Sequence, residues 1–183
     1  MDMPFEFEKT DIEGVVVVKP RVFSDERGYF TETYKKSEFS RGGIDVNFVQ
    51  DNESFSSALT LRGLHFQRKP YEQGKLVRCV RGEIFDVAVD LRPNSRTFGK
   101  YVSAILSEEN RHMLWIPEGF AHGFLALKDS IVVYKVTNEY NRESEGGIRW
   151  DDPELSIKWP MQPRFLSDKD RKWPTLREYM KSL

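Results

Sequence analysis

Short apolar runs separated by turn-forming residues dominate the hydrophobic pattern of this chain. The runs are rich in Val, Ile, Phe and Tyr, and they lie at Gly14–Lys19, Leu61–Gln67, Lys75–Arg81, Ile84–Leu91, Tyr101–Leu106, His112–Ile116, Gly123–Leu127 and Ile131–Thr137. Gly, Pro, Asn, Asp and Ser fill the gaps between many of them. Many short strands at close spacing predict an antiparallel β-sandwich or barrel. The chain shows no internal repeat, low-complexity segment or linker, so we predict one domain over residues 1–183.

Two segments depart from the strand pattern. Ser37–Arg41 is polar around a single apolar residue, Phe39, and predicts a helical turn anchored by that ring. Near the C-terminus, Ser167 precedes a charged stretch and is placed to cap a short helix. Trp173 and Leu176 would then pack on the barrel wall.

One run alternates in a way that leaves two interpretations open. In Ile84–Asp90, alternation places Phe85, Val87 and Val89 on one face and Asp86, Ala88 and Asp90 on the other. The apolar face predicts core. The face with two carboxylates fits a solvated outer surface about as well as a functional one.

Composition limits the classes of function. The net charge is -1, so no overall positive field attracts nucleic acid. A single cysteine, Cys79, excludes an internal disulfide and a Cys-based zinc site, and it predicts a small buried apolar residue. The N-terminal run Val15–Val18 is far too short to span a bilayer, and the first residues do not resemble a signal peptide. We therefore expect a cytoplasmic protein that binds neither nucleic acid nor membrane.

The histidines point to chemistry. The chain has 3 His, and two of them, His65 and His122, lie in Gly-punctuated β-like sequence. Arg62 and Lys75 are near His65 along the chain. A histidine for proton transfer beside cations that bind an anion predicts an enzyme acting on a phosphorylated small molecule.

A metal centre is not predicted. Pro117-x-Gly119-x-x-His122 after an apolar strand is typical of cupin barrels, and Gly63-x-His65-x-Gln67 resembles half of their other motif. However, Gln67 stands where a metal-binding cupin has its second histidine, and the ammonium of Lys75 would oppose a divalent ion.

A longer ordered set of motifs carries a specific resemblance. The set is Asp25-x-Arg27-Gly28-x-Phe30, Gln50-Asp51-Asn52, Arg62-Gly63-Leu64-His65-Phe66-Gln67, Gln73-Gly74-Lys75-Leu76-Val77, Gly82-x-x-x-Asp86-Val87-x-Val89-Asp90-Leu91-Arg92, Pro117-x-Gly119-Phe120-Ala121-His122-Gly123-Phe124 and Trp150-Asp151-Asp152-Pro153. Each motif alone is weak, but the set covers nearly the whole chain in order. It resembles the dTDP-4-dehydrorhamnose 3,5-epimerase family of dTDP-sugar epimerases.

The resemblance implies a fold and a reaction. The fold would be a cupin-type antiparallel jelly-roll barrel with extra N-terminal strands and a short C-terminal helix. The reaction would be cofactor-independent epimerisation at C3 and C5 of dTDP-4-dehydro-6-deoxy-D-glucose. An exposed sheet edge in such a barrel would invite pairing with a second copy, so we expect a homodimer.

The resemblance also implies residue roles. His65 matches the general base, Asp170 the carboxylate that pairs with it, Tyr134 the proton donor on the opposite face of the sugar, and Lys75 the residue that stabilises the enolate. The residues that match the substrate-binding set are Arg27, Glu32, Gln50, Asn52, Arg62, His122, Glu145 and Lys169.

Elementary chemistry agrees with these roles. A ketone at C4 acidifies the hydrogens at C3 and C5, and inverting those centres needs a base, an acid on the other face and a donor for the C4 oxyanion. Tyr134 shares a strand face with Val132 and Val136, so its hydroxyl would point into an apolar interior. Strict alternation, however, puts Arg62 and His65 on opposite faces, so either Gly63 marks a bulge or Arg62 reaches in from the rim or a partner subunit.

Structural alternatives remain open for the individual residues. His122 could form a structural hydrogen bond, Lys75 could protect a strand edge, Asp170 could support a helix N-terminus and Arg27 could pair with Asp25 in a surface turn. Three other functions also remain: a single-centre epimerase or ketoisomerase, a metal-dependent cupin, and a non-catalytic module that binds sugar nucleotides.

Overall fold

The structure, a computed structural model, describes residues 3–183. That part of the chain forms thirteen strands, three short α-helices and one 3-10 turn at Arg142–Ser144. The strands are β1 (Phe5–Lys9), β2 (Val16–Pro20), β3 (Val22–Asp25), β4 (Gly28–Thr31), β5 (Gln50–Ser56), β6 (Leu61–Gln67), β7 (Lys75–Arg81), β8 (Glu83–Asp90), β9 (Tyr101–Ser107), β10 (Met113–Ile116), β11 (Phe120–Ala126), β12 (Ser130–Val136) and β13 (Glu145–Gly147). The helices are α1 (Lys36–Arg41), α2 (Asp168–Arg171) and α3 (Leu176–Lys181).

Two antiparallel sheets form the body of the molecule. One has six strands in the order β1-β2-β10-β7-β12-β5, and the other has five in the order β13-β6-β11-β8-β9. The prediction of an all-β antiparallel barrel is confirmed. The extra N-terminal strands are also confirmed, since β1 and β2 extend the six-stranded sheet beyond β10. Strands β3 and β4 form a separate exposed hairpin.

Apolar packing fills three layers. Between the sheets, Val77 and Val132 of one sheet meet Ala88 and Phe124 of the other. The C-terminal segment covers the outer face of the five-stranded sheet, where Leu176 packs with residues such as Val87. Helix α1 covers the six-stranded sheet. The predicted anchor of that helix, Phe39, is fully buried.

The coverage of both sheet faces settles the ambiguity of β8. Val87 and Val89 pack under the C-terminal segment, whereas Ala88 faces the interior between the sheets. Asp86 and Asp90 are both 0% exposed, so the solvated outer surface is wrong. The carboxylates of β8 lie on the interior side of the barrel.

The C-terminal helix begins as predicted but is interrupted. The hydroxyl of Ser167 accepts a hydrogen bond from the backbone N–H of Asp170, which caps α2. The helix stops before Pro174, and a second helix begins after Thr175, since proline inside a helix removes a donor and clashes with the preceding turn. Leu176 packs on the barrel wall and Trp173 packs against Gly147, as predicted.

No helix within residues 3–183 has the length and apolar character needed to cross a membrane.

Candidate active site

Four strands from the two sheets direct polar side chains into one end of the barrel interior. On the six-stranded sheet, Lys75 shares the inward face of β7 with Val77, and Tyr134 shares the inward face of β12 with Val132. On the five-stranded sheet, His65 of β6 lies directly opposite His122 of β11. The structure therefore brings together residues predicted from four separate motifs.

The first histidine is paired with a carboxylate from the C-terminal segment. Nε2 of His65 lies 2.6 Å from Oδ1 of Asp170, and Trp173 donates its indole N–H to the same oxygen at 2.9 Å. The backbone N–H of Gly63 donates to Oδ2. Burial opposes ionisation of Asp170, but the hydrogen bonds from His65, Trp173 and Gly63 outweigh it and lower the pKa of Asp170.

This pairing defines the reactive atom of His65. An ionised carboxylate can only accept hydrogen bonds, so Nε2 of His65 is the protonated nitrogen and donates to Asp170. Nδ1 then carries the lone pair. The side chain of His65 keeps 34% of its surface exposed. It can therefore act as a base on a bound molecule.

A bulge in β6 removes the conflict between Arg62 and His65. His65 pairs with His122, but Arg62 pairs with Phe124, so three steps along β6 match two along β11. The extra residue turns Arg62 to the side that His65 occupies. The guanidinium of Arg62 donates to the hydroxyl of Ser56 and to the carbonyl of Phe55. Of the alternatives that the sequence left open for Arg62, the structure shows the irregularity in β6 beside Gly63.

The second histidine is paired with the interior carboxylate of β8. Nε2 of His122 lies 2.6 Å from Oδ1 of Asp86, and both side chains are buried. Burial lowers the pKa of His122, and the positive charges of Lys75 and His65 act in the same direction, whereas Asp86 opposes them. A neutral His122 therefore donates from Nε2 to Asp86 and offers Nδ1 as an acceptor.

Lys75 lies buried next to the second pair. Its ammonium is 5.8 Å from the centre of the Tyr134 ring. Burial lowers the pKa of Lys75 to about 8, against the opposing effect of Asp86 and Glu145. Near neutral pH the side chain is a cation in a site of low polarity. Its burial rules out the alternative that it only protects a strand edge.

Tyr134 stands on the same sheet as Lys75, opposite the histidines. Its backbone pairs with that of Asn52, and its ring centre is 6.5 Å from that of His122. Burial raises the pKa of Tyr134, although a hydrogen bond with Asn52 and the charge of Arg62 counteract part of this effect. The phenol is therefore protonated and can donate. Gln50 supports Asn52 through a 2.8 Å hydrogen bond to its side-chain oxygen.

A second polar group continues along the rim. Glu145 forms an ion pair with Lys169 and accepts a hydrogen bond of 2.6 Å from the hydroxyl of Tyr140. Burial disfavours the charged form of Glu145, but these two bonds lower its pKa overall. Gln50 links this rim to the interior, because its side-chain oxygen accepts from the backbone N–H of Tyr140.

Two predicted residues lie elsewhere. Arg27 sits at the tip of the β3–β4 hairpin, where it is highly exposed and forms a forked ion pair with Asp25. This is the surface-turn arrangement that the sequence left open. Glu32 follows the same hairpin. No contact recorded between described residues joins Arg27 or Glu32 to the cluster around His65.

Three residues of the site were not assigned a functional role from the sequence. Asp86 pairs with His122, Trp173 donates to Asp170, and Tyr140 donates to Glu145. The alternation of β8 already marked Asp86 as an unusual carboxylate beside small residues. Their partners are close in sequence, three residues from Trp173 and five from Tyr140, but no residue pattern around Trp173 or Tyr140 indicates these contacts.

The described residues do not form a set of ligands for a metal ion. Among residues 3–183, no group of three or more His, Cys, Asp or Glu side chains is placed to hold one ion. The lack of a catalytic metal stays a prediction.

The arrangement defines a class of enzyme. A histidine backed by a carboxylate lies on one sheet, and a protonated phenol beside a buried ammonium lies on the other. Such a pair exchanges protons at a carbon acid while the cation stabilises the oxyanion. The fold and the site are those of a barrel isomerase that works by proton transfer.

Comparisons with known proteins narrow this class to one family. The family model described as dTDP-4-dehydrorhamnose 3,5-epimerase matches residues 9–178. A relative of that name from Methanothermobacter thermautotrophicus is 55% identical over 179 residues, which cover 95% of this chain and 96% of the relative. The chain belongs to the dTDP-4-dehydrorhamnose 3,5-epimerase family.

Two solved structures show the same fold with nucleotides bound. The dTDP-4-dehydrorhamnose 3,5-epimerase of Bacillus anthracis, solved with TDP and PPi, has a TM-score of 0.92 and 45% identity, covering 94% of this chain and 99% of that one. A 3'-monoepimerase of Streptomyces bikiniensis, solved with dTDP-quinovose, has a TM-score of 0.90 and 32% identity, covering 96% and 90%. The fold thus serves both double and single epimerisation.

Proposed function

We propose that the protein converts dTDP-4-dehydro-6-deoxy-D-glucose into dTDP-4-dehydro-L-rhamnose by inverting C3 and C5, with His65 as base and Tyr134 as acid. One observation carries this proposal. His65 and Tyr134 project from facing sheets into one interior, with Lys75 beside Tyr134. Inversion requires a proton to leave one face of the sugar and another to arrive on the opposite face.

The reaction follows from this geometry. Nδ1 of His65 takes the proton from the carbon next to the ketone, and the electron pair of the C–H bond moves to the C4 oxygen. The ammonium of Lys75 stabilises that enolate. The phenol of Tyr134 then delivers a proton to the opposite face, the C4 ketone re-forms, and His65 and Tyr134 regain their states by exchange with water. No electrons leave the substrate, so the step needs no redox partner.

The base and the acid have environments suited to these tasks. Asp170 holds the proton on Nε2 of His65 and stabilises the imidazolium that forms. Burial keeps Tyr134 protonated until the enolate needs its proton. Nδ1 of His122, which Asp86 leaves as an acceptor, is available to a sugar hydroxyl.

Cations at the rim suit the diphosphate. Arg62 reaches the same side as His65 through the bulge in β6. Lys169 is largely exposed and pairs with Glu145, so its ammonium is held at the entrance. Arginine and lysine side chains in this position bind phosphate oxygens by charge-assisted hydrogen bonds. We assign Gln50, Asn52 and Glu145 to the same binding surface.

A homodimer would explain the position of Arg27. The β3–β4 hairpin exposes Phe23 at 49%, Tyr29 at 56% and Phe30 at 65%. A cluster of exposed aromatic residues marks a surface for a partner. If a second copy covers the hairpin, Arg27 and Glu32 can reach the substrate of that copy, which is what their assignment to the binding set requires.

Sedimentation or light scattering tests the dimer. We expect a mass twice the 21.5 kDa of the chain. Phe30→Asp should shift the protein toward the monomer and raise KM. Leu183→Asp, which changes another exposed apolar residue outside the hairpin, serves as the control. A monomeric wild-type protein with full activity would contradict the dimer.

Proton exchange tests the reaction. The purified protein is mixed with dTDP-4-dehydro-6-deoxy-D-glucose in D₂O without added cofactor, and the sugar is followed by NMR. Deuterium at both C3 and C5 with the L-rhamno product supports the proposal. Deuterium at one position would assign the protein to single-centre epimerases instead. Binding of dTDP without any exchange would leave only a binding module.

A further inference from the structure

Asp86 holds a buried oxygen that the fold does not satisfy. The residue is 0% exposed, and Oδ1 is bound by His122. Oδ2 has no hydrogen-bond partner anywhere in residues 3–183. An unpaired buried carboxylate oxygen costs free energy, so its presence calls for a reason other than stability.

Asp90, two residues further along β8, shows what a structural carboxylate looks like in the same strand. It is equally buried, but Oδ1 accepts from Arg92, and Oδ2 accepts from Arg92, Ser95 and Thr97. Every oxygen of Asp90 is used to hold the adjoining turn. Asp86 has no such set of donors. The charged group on the facing sheet that its carboxylate influences is the ammonium of Lys75.

Lys75 is that cation. In the part of the chain that the structure describes, its ammonium forms neither a hydrogen bond nor an ion pair within 4.0 Å, so it remains free to meet the substrate. Asp86 from β8 and Glu145 from β13 act on it as negative charges, His122 from β11 acts as a neighbouring titratable group, and the ring of Tyr134 from β12 lies beside it. Asp86 is the stronger of the two carboxylate influences.

We propose that Asp86 is a positioning residue for epimerisation, which keeps a positive charge at Lys75 and holds His122 as the Nε2–H tautomer. In this role Asp86 acts through Lys75 and His122 rather than on the reacting atoms. Its free oxygen supplies a negative field inside a site of low polarity, where charges interact more strongly than in water. Its other oxygen makes Nδ1 of His122 the acceptor that faces the substrate.

An NMR titration tests the charge directly. The protein is labelled with ¹³Cε-lysine, and the Lys75 signal is assigned by its loss in Lys75→Arg. In Asp86→Asn, which keeps the side-chain shape, we expect the pKa of Lys75 to fall by about one unit. In the matched variant Asp90→Asn, which removes a buried carboxylate from the same strand, the pKa of Lys75 should stay as in the wild type while the melting temperature falls.

The pH profile of kcat provides a second readout. Lys75 acts as an ammonium, so activity is lost as pH rises through its pKa. A fall of that pKa from about 8 to about 7 makes the loss of rate in Asp86→Asn about fivefold greater at pH 8 than at pH 6. A loss of equal size at both pH values, with an unchanged Lys75 titration, would overturn the proposal and leave Asp86 a structural role.

The wild-type protein keeps the proposal testable if Asp86→Asn does not fold. A buried lysine without a compensating carboxylate has a pKa of about 6. A wild-type pKa of Lys75 at or below that value would show that Asp86 does not maintain the charge. The inference rests on the proposed role of Lys75 in the reaction. Wild-type turnover by Lys75→Ala would contradict that role, whereas the titration reports on Asp86 alone.

Discussion

The barrel contains two histidine–carboxylate pairs of the same length in different surroundings. Nε2 lies 2.6 Å from the carboxylate in both His65–Asp170 and His122–Asp86. The side chain of His65 is 34% exposed, whereas that of His122 is 7% exposed. The carboxylate of the first pair comes from the C-terminal segment, and that of the second comes from an adjacent strand.

The two pairs have the same geometry, so the difference between their suitable functions comes from burial and from the neighbouring hydrogen bonds and charges. Asp170 receives three hydrogen bonds, which stabilise its negative charge, and it lies beside the accessible imidazole of His65. Asp86 receives one such bond from the residues that the structure describes, and burial, together with the nearby charge of Lys75, lowers the pKa of His122. The exposed pair suits proton transfer, and the buried pair suits binding and the control of charge.

Replacing His65 gives the largest expected effect. His65→Ala removes the base, so kcat should fall about 1,000-fold or more, and deuterium should no longer enter C3 or C5. His122→Asn is the comparison variant. It should lower the rate by only about tenfold, because it removes one contact with the substrate. If His65→Ala and His122→Asn lost deuterium exchange equally, the two histidine–carboxylate pairs would not differ in function as we expect.

Tyr134→Phe comes next, and it sharpens the contrast between the two sheets. The variant keeps the ring and removes the proton donor, so product formation should fall about 100-fold. Deuterium exchange started by His65 should suffer much less, since the base is intact. Both rates are obtained from one NMR time course in D₂O. Normal product formation would refute the role of Tyr134 as the acid.

Arg62→Ala tests the rim beside the exposed pair. We expect KM to rise about tenfold with little change in kcat, because a charge-assisted contact to phosphate binds ground and transition states alike. Steady-state kinetics with varied substrate give both constants. An equal fall of kcat and kcat/KM would instead place Arg62 at the reacting atoms in the transition state.

Trp173→Phe should have the smallest effect. The change removes one donor to Asp170 and keeps the packing against Gly147, so kcat should fall about threefold. Trp159→Phe is its control, because Trp159 donates its indole N–H to the carbonyl of Trp150 outside the site. That variant should lower only the melting temperature. A similar kcat in both variants would show that Trp173 does not tune the exposed pair.

The strands that carried apolar runs were predictable, whereas polar strands such as β5 were not. Leu61–Gln67 and Lys75–Arg81 coincide with β6 and β7 because a strand covered on its inner face must present apolar residues there. β5 reads Gln50-Asp51-Asn52-Glu53-Ser54-Phe55-Ser56, with one apolar residue. Its pairing with β12, rather than its own composition, makes it a strand.

The site was predictable in its residue types more than in its arrangement. The ordered motifs indicated His65, Tyr134 and Lys75 through resemblance, and strand alternation indicated that Tyr134 points inward. Alternation placed Arg62 on the wrong face, and only the bulge corrects it. Pro174 accounts for the interruption of the C-terminal helix, whereas the role of Trp173 depends on the contact of its neighbour Asp170 with His65, which is 105 residues away in the sequence.

The sequence by itself determined the β class of the protein, most of its strands and the chemistry available to it, because periodicity and residue type are local properties. Apart from the His65–Asp170 pair that the family resemblance implied, the tertiary structure decided which carboxylate meets which histidine. Asp170 is 105 residues from His65 and Asp86 is 36 residues from His122, and no local pattern specifies such pairs. It also decided how deeply each pair is buried, which sets the pKa of His122 and Lys75 and hence the use of each group.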